Sequence, residues 1–465
     1  MFVKRVVTVV ILFALFCALL SGCAVVKVEE ETGVKQGEEI TADLNEKNES
    51  ETEKSEVEML QLASRLSDAT VISAESPVAS EFGDYDPRIA IRESYPIVEE
   101  MLSSVLGFTQ KTAKALENEG DNLIYSPLSL YYALGILASG SVGQAESELT
   151  DLLGLEKDEL AVAAEAIYRN IYEDNEIGVT RISNSIWVDR NKGISFKNDW
   201  LEKTSSGFFA SVYDVDLNDP ATGDLIGRWI SDTTGKMLEC EFKPDPAKVM
   251  SIINSVYLSD QWTDEFDESF TKKDQFTNRD GSISECDFMN SEGLGSFYKT
   301  EKYSMSSIQL KNGGSVTFIL PEEGVDPQSL LYDASVYDRI SSTNPDDEAY
   351  GYGTLIWKVP KFSYQSDLDL VKTLRRLGVN SVFDTYNSLT DITDDPLFVS
   401  DVLQKATISV NEKGIEAAAY TEITYCGSAM PTDSCEMILD RPFAYIVETD
   451  YGIPIFVGVV NDMNQ

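Results

Sequence analysis

Hydrophobic residues in the first half of the folded region recur with the period of an α-helix. Between Ile97 and Leu116, apolar side chains lie three and four residues apart, and the run ends at Glu117-Asn118-Glu119-Gly120, a typical helix stop. The stretch from Ser129 to Ala138 is apolar at nearly every position, which predicts a helix buried on all sides.

Later in the chain, short runs rich in β-branched and aromatic residues predict strands. These runs are Ile182–Asp189, Val249–Leu258, Val316–Leu320, Leu355–Val359, Thr407–Val410, Ala444–Glu448 and Ile453–Val459. Because helical patterns dominate the first half and strand patterns the second, we expect an α+β fold with a large sheet.

The N-terminal part has a different composition. Residues 1–23 join a basic start and an apolar run to Leu20-Ser21-Gly22-Cys23, which resembles a bacterial lipobox. This resemblance implies a lipoprotein signal peptide, a lipid on Cys23, and anchoring at the extracellular face of a bacterial cell membrane. An ordinary secretory signal is the alternative. Residues 24–94 are acidic and poor in aromatics, which predicts a flexible stalk before a folded domain at 95–465.

The chain of 465 residues has a formal net charge of -42 and contains no histidine. Such a charge opposes binding to nucleic acid or to anionic membranes. The lack of histidine excludes Ser-His-Asp and Cys-His catalysis and histidine-ligated zinc. A carboxylate pair could act as in a glycosidase, but among 79 acidic residues no pair is informative. We therefore expect no enzymatic activity, no cofactor and no metal.

A motif near the C-terminus points to a family. Asn411-Glu412-Lys413-Gly414-Ile415-Glu416-Ala417-Ala418-Ala419 resembles the hinge of the reactive-centre loop in serpins, a family of serine protease inhibitors. Other blocks that resemble serpin segments follow in family order. They are Asn122–Ser129, Asn184–Trp187, Trp229–Lys236, Asn254–Phe266, Leu320–Pro321, Val359–Phe362, Leu377–Phe383 and Asp440–Phe443.

The resemblance implies a serpin fold, with three β-sheets, about nine helices and an exposed reactive-centre loop. It also implies a suicide mechanism, in which a serine protease cleaves the loop as a substrate. While the acyl-enzyme persists, the loop inserts as an extra strand into the main sheet and carries the protease with it. A monomer with a serine protease as its partner is expected.

The residues of the loop suit both of its states. As a strand, Ile415, Ala417 and Ala419 would point into the core, while Glu416 and Ala418 would point outward. No proline interrupts residues 414–430, so the ladder could form throughout. Inhibitory serpins usually have Thr or Ser at the position of Ile415, so we expect this larger residue to slow entry without preventing it.

Family spacing from Gly414 places the reactive bond at Ser428–Ala429. The distance from Gly414 to Pro442 is longer than in typical members, so Ala429–Met430 is the alternative. Small residues here suit a shallow primary pocket, which favours elastase-like or subtilisin-like proteases.

Supporting residues also resemble the family. Glu412, Lys361 and Trp262 match the breach, the entry point at the top of the main sheet. The shutter, a polar cluster that lets the sheet part, is matched by Ser126, Ser129, Asn254 and Gln404. Gln404 replaces a common histidine and cannot titrate, so we expect sheet opening to be insensitive to pH near 6.

Three questions stay open at the level of sequence. A non-inhibitory serpin with a binding role would share the fold, and Ile415 and the two loop cysteines support that alternative. The signal and stalk alone would also suit a solute-binding surface lipoprotein. Finally, Cys426 and Cys435 flank the reactive bond, and a disulfide between them would prevent full insertion, because it spans only about 6 Å between Cα atoms. We hypothesise that these thiols are free in the active form or act as a redox switch.

Overall fold

The computed structural model describes residues 63–118, 120–238, 242, 243, 245, 248–341, 344–384, 387–415 and 433–464. Among these residues, no helix is both long enough and apolar enough to cross a membrane.

The helices lie mainly in the first half of the chain. A short helix covers residues 63–69. The others are α1 Tyr85–Ser94, α2 Glu99–Ala115, α3 Pro127–Gly140, α4 Gln144–Leu153, α5 Lys157–Ile171, α6 Asn198–Ser206, α7 Pro220–Thr233, α8 Pro327–Leu330, α9 Ala334–Ser341, α10 Val371–Arg376 and α11 Ser381–Asp384. Two 3-10 helices cover Arg190–Lys192 and Glu268–Phe270.

The strands concentrate in the second half. They are β1 Thr70–Ile72, β2 Leu123–Tyr125, β3 Glu173–Asp174, β4 Val179–Asp189, β5 Ala210–Val215, β6 Met250–Gln261, β7 Lys272–Thr277, β8 Ile283–Lys299, β9 Tyr303–Gln309, β10 Ser315–Pro321, β11 Tyr350–Pro360, β12 Phe362–Asp369, β13 Val402–Asn411, β14 Gly414–Ile415, β15 Ser434–Ile438, β16 Phe443–Glu448 and β17 Pro454–Val460.

Eight strands form the main sheet, in the order β1-β5-β4-β6-β14-β13-β12 with β3 paired to β4. Nine strands form a second sheet, in the order β15-β11-β8-β9-β10-β16-β17-β2 with β7 paired to β8. The expected α+β class is confirmed, but the described residues form two hydrogen-bonded sheets instead of three. The reason is that β8 is 17 residues long and pairs with β11, β7 and β9, so it joins two sheet regions.

The predicted elements are present, and the observed ones are mostly longer. The run from Ser129 to Ala138 lies within α3, all of whose residues are buried. Pro127 occupies the first turn of α3, and the Ser126 side chain caps it by accepting a hydrogen bond from the Ser129 backbone. An all-apolar helix of this kind is stable only when other layers surround it, and here it packs between α2, α4, α5 and the two sheets.

Part of the predicted stalk is folded in the structure. Strand β1 pairs antiparallel with β5 and extends the edge of the main sheet. In α1, Arg88 contacts Glu173 at 2.8 Å and Arg92 contacts Asp450 at 2.5 Å. The expectation of a flexible stalk through residue 94 therefore fails for β1 and α1, because backbone pairing and ion pairs stabilise a segment that has little apolar surface to bury.

Candidate functional site

The seam between β6 and β13 has two different ends. At its lower end the two strands pair directly and in parallel, with Val402–Gln404 opposite Ile252–Asn254. At its upper end β14 lies between them and pairs antiparallel with both. Because β6 and β13 are parallel, one antiparallel strand can hydrogen-bond to both of them at once. The seam is therefore spread at one end and closed at the other.

The hinge strand β14 is tightly enclosed. Ile415 lies opposite Asp260 and Val410 and is only 3% exposed. At Gly414, a Cβ atom would lie 2.0 Å from the backbone oxygen of Asp260, so no other residue fits without a shift of the strand. The first loop residue expected to insert is thus already inside the sheet in this structure.

Breach residues hold the turn that precedes β14. The backbone N–H of Trp262 donates to the carbonyl of Lys413, and its indole N–H donates to the carbonyl of Asn411, both at 2.9 Å. The N–H of Phe266 donates to the carbonyl of Glu412 at 2.9 Å. Trp262 itself is fully buried. These bonds satisfy backbone acceptors on the turn and fix its direction into the seam.

The predicted ion pair of the breach is formed. The Lys361 Nζ lies 2.9 Å from Oε2 of Glu412, and the Thr271 hydroxyl donates to Oε1 at 2.9 Å. Burial favours the protonated form of Glu412, but the bonds from Lys361 and Thr271 outweigh it and lower the pKa of this carboxyl. The sequence missed Thr271, since only the fold brings its hydroxyl to this position.

A second carboxyl at the upper end was not expected. Asp260 is 3% exposed and accepts hydrogen bonds from the backbone N–H groups of Gln261 at 2.8 Å and Asn312 at 3.2 Å. Burial raises the pKa of Asp260 to about 7, and the negative charge of Glu173 adds to this rise, while Lys311 opposes it. The upper end therefore contains a group that titrates near neutral pH.

Neutral hydrogen bonds anchor β13 at the lower end. The side-chain amide of Gln404 donates to the carbonyl of Ser126 and accepts from its N–H, each at 2.8 Å. The Ser126 hydroxyl donates to the carbonyl of Ile455 at 2.7 Å and accepts from the N–H of Ser129 at 3.2 Å. Gln404 thus ties β13 to the start of α3, and nothing in this group titrates near neutral pH.

Asn254, the fourth shutter residue, belongs to a separate pair. Its amide N–H donates to Oδ1 of Asn184, whose own amide donates to the carbonyl of Phe208 at 2.8 Å. Its Oδ1 is buried and has no hydrogen-bond partner among the described residues. The predicted shutter residues therefore form two separate hydrogen-bonded groups, one on each side of the seam. Between them, Oδ1 of Asn254 is a buried acceptor without a partner among the described residues.

Several predicted residues lie outside the described part of the chain. These are Cys23, Glu416, Ala417, Ala418, Ala419, Cys426, Ser428, Ala429 and Met430. Cys435 is described; among the described residues it has no disulfide partner, and burial raises the pKa of its thiol. The raised pKa lowers the thiolate fraction and therefore the reactivity of this thiol.

Comparison with known proteins identifies the family. The family model "Serpin (serine protease inhibitor)" matches residues 103–463. Serpin-ZX of Arabidopsis thaliana is 27% identical over 371 residues, which cover 74% of this chain and 93% of the relative. Iripin-2 of Ixodes ricinus is 25% identical over 354 residues, which cover 74% of this chain and 88% of the relative.

Solved structures show the same fold. The thermophilic serpin tengpin in its native state matches with a TM-score of 0.73 at 24% identity, over 85% of this chain and 99% of tengpin. Thyroxine-binding globulin in complex with thyroxine matches with a TM-score of 0.66 at 20% identity, over 78% of this chain and 99% of the globulin. The family model alone covers more than three quarters of the sequence. The chain therefore belongs to the serpin family.

Proposed function

We propose that this serpin is a suicide inhibitor of serine proteases with elastase-like or subtilisin-like specificity. Serpins are generally protease inhibitors, not enzymes, although some have no inhibitory activity. The observation that carries the proposal is β14, which lies in the seam with the orientation and pairing that an inserting loop needs. The strand already forms ladder bonds to both neighbours, so continued insertion requires no change of direction.

The register of β14 supports insertion of the residues that follow. Continued by two residues, it sets Ala417 opposite Leu258 and Ile408, both of which are buried. It sets Glu416 opposite Ser259 and Ser409, which are half-buried. Small apolar residues would therefore enter the core and the charged residue would stay at the opposite face, which avoids the cost of burying a charge.

The same register gives the lower end a role. It sets Thr421 opposite Asn254 and Gln404, the two polar residues on either side of the seam. A threonine hydroxyl there could donate to Oδ1 of Asn254, which now has no partner. An unsatisfied buried acceptor costs about 1–3 kcal/mol, so satisfying it would favour the inserted state.

Cleavage would occur at Ser428–Ala429, with Ala429–Met430 as the alternative. Neither bond has a basic residue on its N-terminal side, so trypsin-like enzymes are not expected to cleave there. We further propose that the chain is a monomer that needs no cofactor, anchored by a lipid on Cys23 at the extracellular face of a bacterial cell membrane. Fatty acids on the mature protein's N-terminal cysteine, detected by mass spectrometry, would test the anchor.

The test is to mix the purified protein with an elastase, a subtilisin and, as a control, trypsin. We expect a covalent complex that survives SDS with at least one of the first two. Sequencing the released C-terminal peptide should give Ala429, or Met430 for the alternative bond, as the new N-terminus. Cleavage that yields no complex, leaves the protease active and does not raise the thermal stability of the serpin would instead support a non-inhibitory binding role.

A further inference from the structure

Helix α1 is bound to the domain by polar groups and not by an apolar face. None of its ten residues is buried, and two of its three large apolar residues, Tyr85 and Ile89, are 71% and 52% exposed. Its ion pairs with the domain come from Arg88 and Arg92. A helix that packs in this way gains little from apolar burial, so its charged contacts largely determine whether it stays docked.

Arg88 begins a chain of hydrogen bonds that leads from α1 to the main sheet. Its guanidinium donates to the carboxylate of Glu173 at 2.8 Å and to the backbone carbonyl of Asn312 at 3.1 Å. The side-chain amide of Asn175 donates to the same carboxylate at 3.1 Å and to Oδ1 of Asn312 at 2.9 Å. The backbone N–H of Asn312 donates to Asp260, the residue of β6 that pairs with β14. The chain therefore connects α1 to the upper end of the seam.

This chain of bonds borders a cavity beside α1 that is rich in carboxyl groups. Glu173, Asp260 and Glu448 are all buried, and Oε2 of Glu448 has no hydrogen-bond partner among the described residues. The charged residues that line the cavity come from each element around it, and they are Arg88, Arg92, Arg169, Glu173, Asp260, Glu448 and Asp450. Lys311 lies near Asp260, and Arg169 also pairs with Glu165. Carboxyl groups therefore outnumber guanidinium groups among the described residues at the cavity.

Protons bind more tightly to the cavity than to an exposed carboxyl. Burial raises the pKa of Glu173 to about 7, although Arg88 opposes this rise, and Asp450 adds to it. Burial likewise raises the pKa of Glu448 to about 7. Release of α1 would admit water and return the pKa of Glu173 toward its ordinary value of 4.5. Because the docked state binds the proton more tightly than the released state, low pH favours docking and a rise of the pH through 7 favours release.

We propose that α1 is a proton-regulated strap, which closes the cavity while the carboxyl groups beneath it hold protons and is released when they ionise. Release would break both bonds from Arg88, including the bond to Asn312, whose N–H supports Asp260 at the upper end. The strap thus connects the segment that precedes the domain to the strand pairing beside β14. No step of this device involves a protease, so it stands independently of the inhibitory function.

Hydrogen exchange of the full chain, followed by mass spectrometry at pH 6 and pH 8 and corrected for the intrinsic rate at each pH, measures the opening of the strap. A carboxyl with a pKa of about 7 when docked and 4.5 when released should raise the opening constant of the α1 amides about tenfold from pH 6 to pH 8. The peptide that contains Asn312 should follow the same change. Helix α3, which is buried throughout, should show none.

Three variants separate the strap from a general loosening of the domain. Glu173→Gln keeps an oxygen acceptor for Arg88 but cannot ionise, so the change from pH 6 to pH 8 should fall to about threefold or less. Asp174→Asn is the matched control, because this neighbouring carboxyl pairs with Arg181 and not with α1, and it should keep the tenfold change. Arg88→Gln removes the ion pair and should raise the opening constant at both pH values.

An opening constant that is equal at pH 6 and pH 8 in the wild-type protein would overturn the strap. So would a full tenfold change in Glu173→Gln, or unchanged exchange of α1 in Arg88→Gln, which tests the contact even if the Glu173 variant fails to fold. A change confined to α1, with none at Asn312, would overturn the connection to the upper end. Inhibition of a protease is not a readout in any of these experiments, so their failure leaves the inhibitory function to its own test.

Discussion

The two ends of the seam between β6 and β13 differ in their strand pairing and in the side-chain interactions that stabilise them. At the upper end, β14 separates the strands, and charged groups surround it: the Lys361–Glu412 ion pair and the buried carboxyl of Asp260. At the lower end the strands pair directly, and neutral amide groups tie β13 to the start of α3. One pair of strands thus shows both an opened and a closed arrangement in one molecule.

For the proposed mechanism, this difference determines which part of the seam would still have to open. Opening the lower end requires the paired strands to move from about 4.8 Å apart to twice that distance, so that another strand fits between them. At the upper end, β14 already lies between the two strands and separates them. Further insertion would therefore have to break the direct pairing of Val402–Gln404 with Ile252–Asn254, beside the bonds that tie Gln404 to α3.

The largest expected effect comes from placing a charge at the upper end. In Ile415→Glu, a carboxylate would have to enter a site that is 3% exposed and lies beside Asp260. Burial of such an unpaired charge costs several kcal/mol, so β14 should leave the seam and the protein should act mainly as a substrate. We expect at least about a tenfold rise in the molecules cleaved per protease inhibited, since each 1.4 kcal/mol is a factor of ten.

Ile415→Thr is the control for that substitution, because it keeps a neutral side chain of smaller size. It should keep the stoichiometry near that of the wild-type protein and speed inhibition if the larger isoleucine slows entry. A stoichiometry for Ile415→Glu that equals that of the control would show that insertion at the upper end is not needed for inhibition.

A second prediction concerns pH at the upper end. The pKa of Asp260 is about 7 in the fold and close to 3.9 when unfolded, so the folded state binds the proton more tightly. Its contribution to stability is favourable below about pH 4, declines as the pH rises, and is fully lost above about pH 7. From pH 5 to pH 8, the free energy of unfolding of Asp260→Asn should therefore rise by roughly 3 kcal/mol relative to that of the wild-type protein.

Urea unfolding at several pH values measures this gain, and Asp367→Asn is the control, since that carboxyl is 64% exposed in its ion pair with Lys405. At pH 5 the Asp260 variant should be the less stable protein, because an amide offers one oxygen to two backbone donors. A stability difference that does not change with pH would show that Asp260 titrates as an ordinary surface carboxyl.

The smallest predicted effect is at the lower end. Gln404→Leu keeps the volume of the side chain but leaves the backbone N–H of Ser126 buried without its acceptor, which costs about 2 kcal/mol. The free energy of unfolding should fall by this amount and should fall equally at pH 6 and pH 8. Lys405→Ala removes only a surface ion pair and should cost less than about 1 kcal/mol. Equal losses in both variants would mean that Gln404 does not anchor β13 at the lower end.

The sequence blocks point to the residues around the turn before β14 because their signals are short and specific. Lys361, Trp262 and Glu412 each belong to a block that matches the family, and the structure brings all three to the turn before β14. Asp260 was missed because strand register alone sets a carboxyl opposite Ile415. Among 79 acidic residues, no sequence pattern marks Asp260 as buried.

The shutter and the N-terminal segment show two other limits. All four shutter residues were named, yet Asn254 pairs with Asn184 and not with Gln404, because hydrogen-bond direction depends on side-chain rotamers that sequence order does not reveal. Strand β1 is three residues long and follows an acidic region, so the sequence pattern there does not indicate a strand. A short edge strand of this kind exists only because β5 offers free backbone groups for pairing.

The position of β1 has a mechanical consequence for a tethered protein. If the chain is anchored through its N-terminus, tension from a captured protease enters the fold at β1, the outermost strand of the main sheet. The hydrogen bonds between β1 and β5 and the contact of Arg65 with Asp219 would resist that force. Two strands, β5 and β4, lie between β1 and β6. Pulling on the anchor should therefore detach β1 from β5 before it separates β6 from β13.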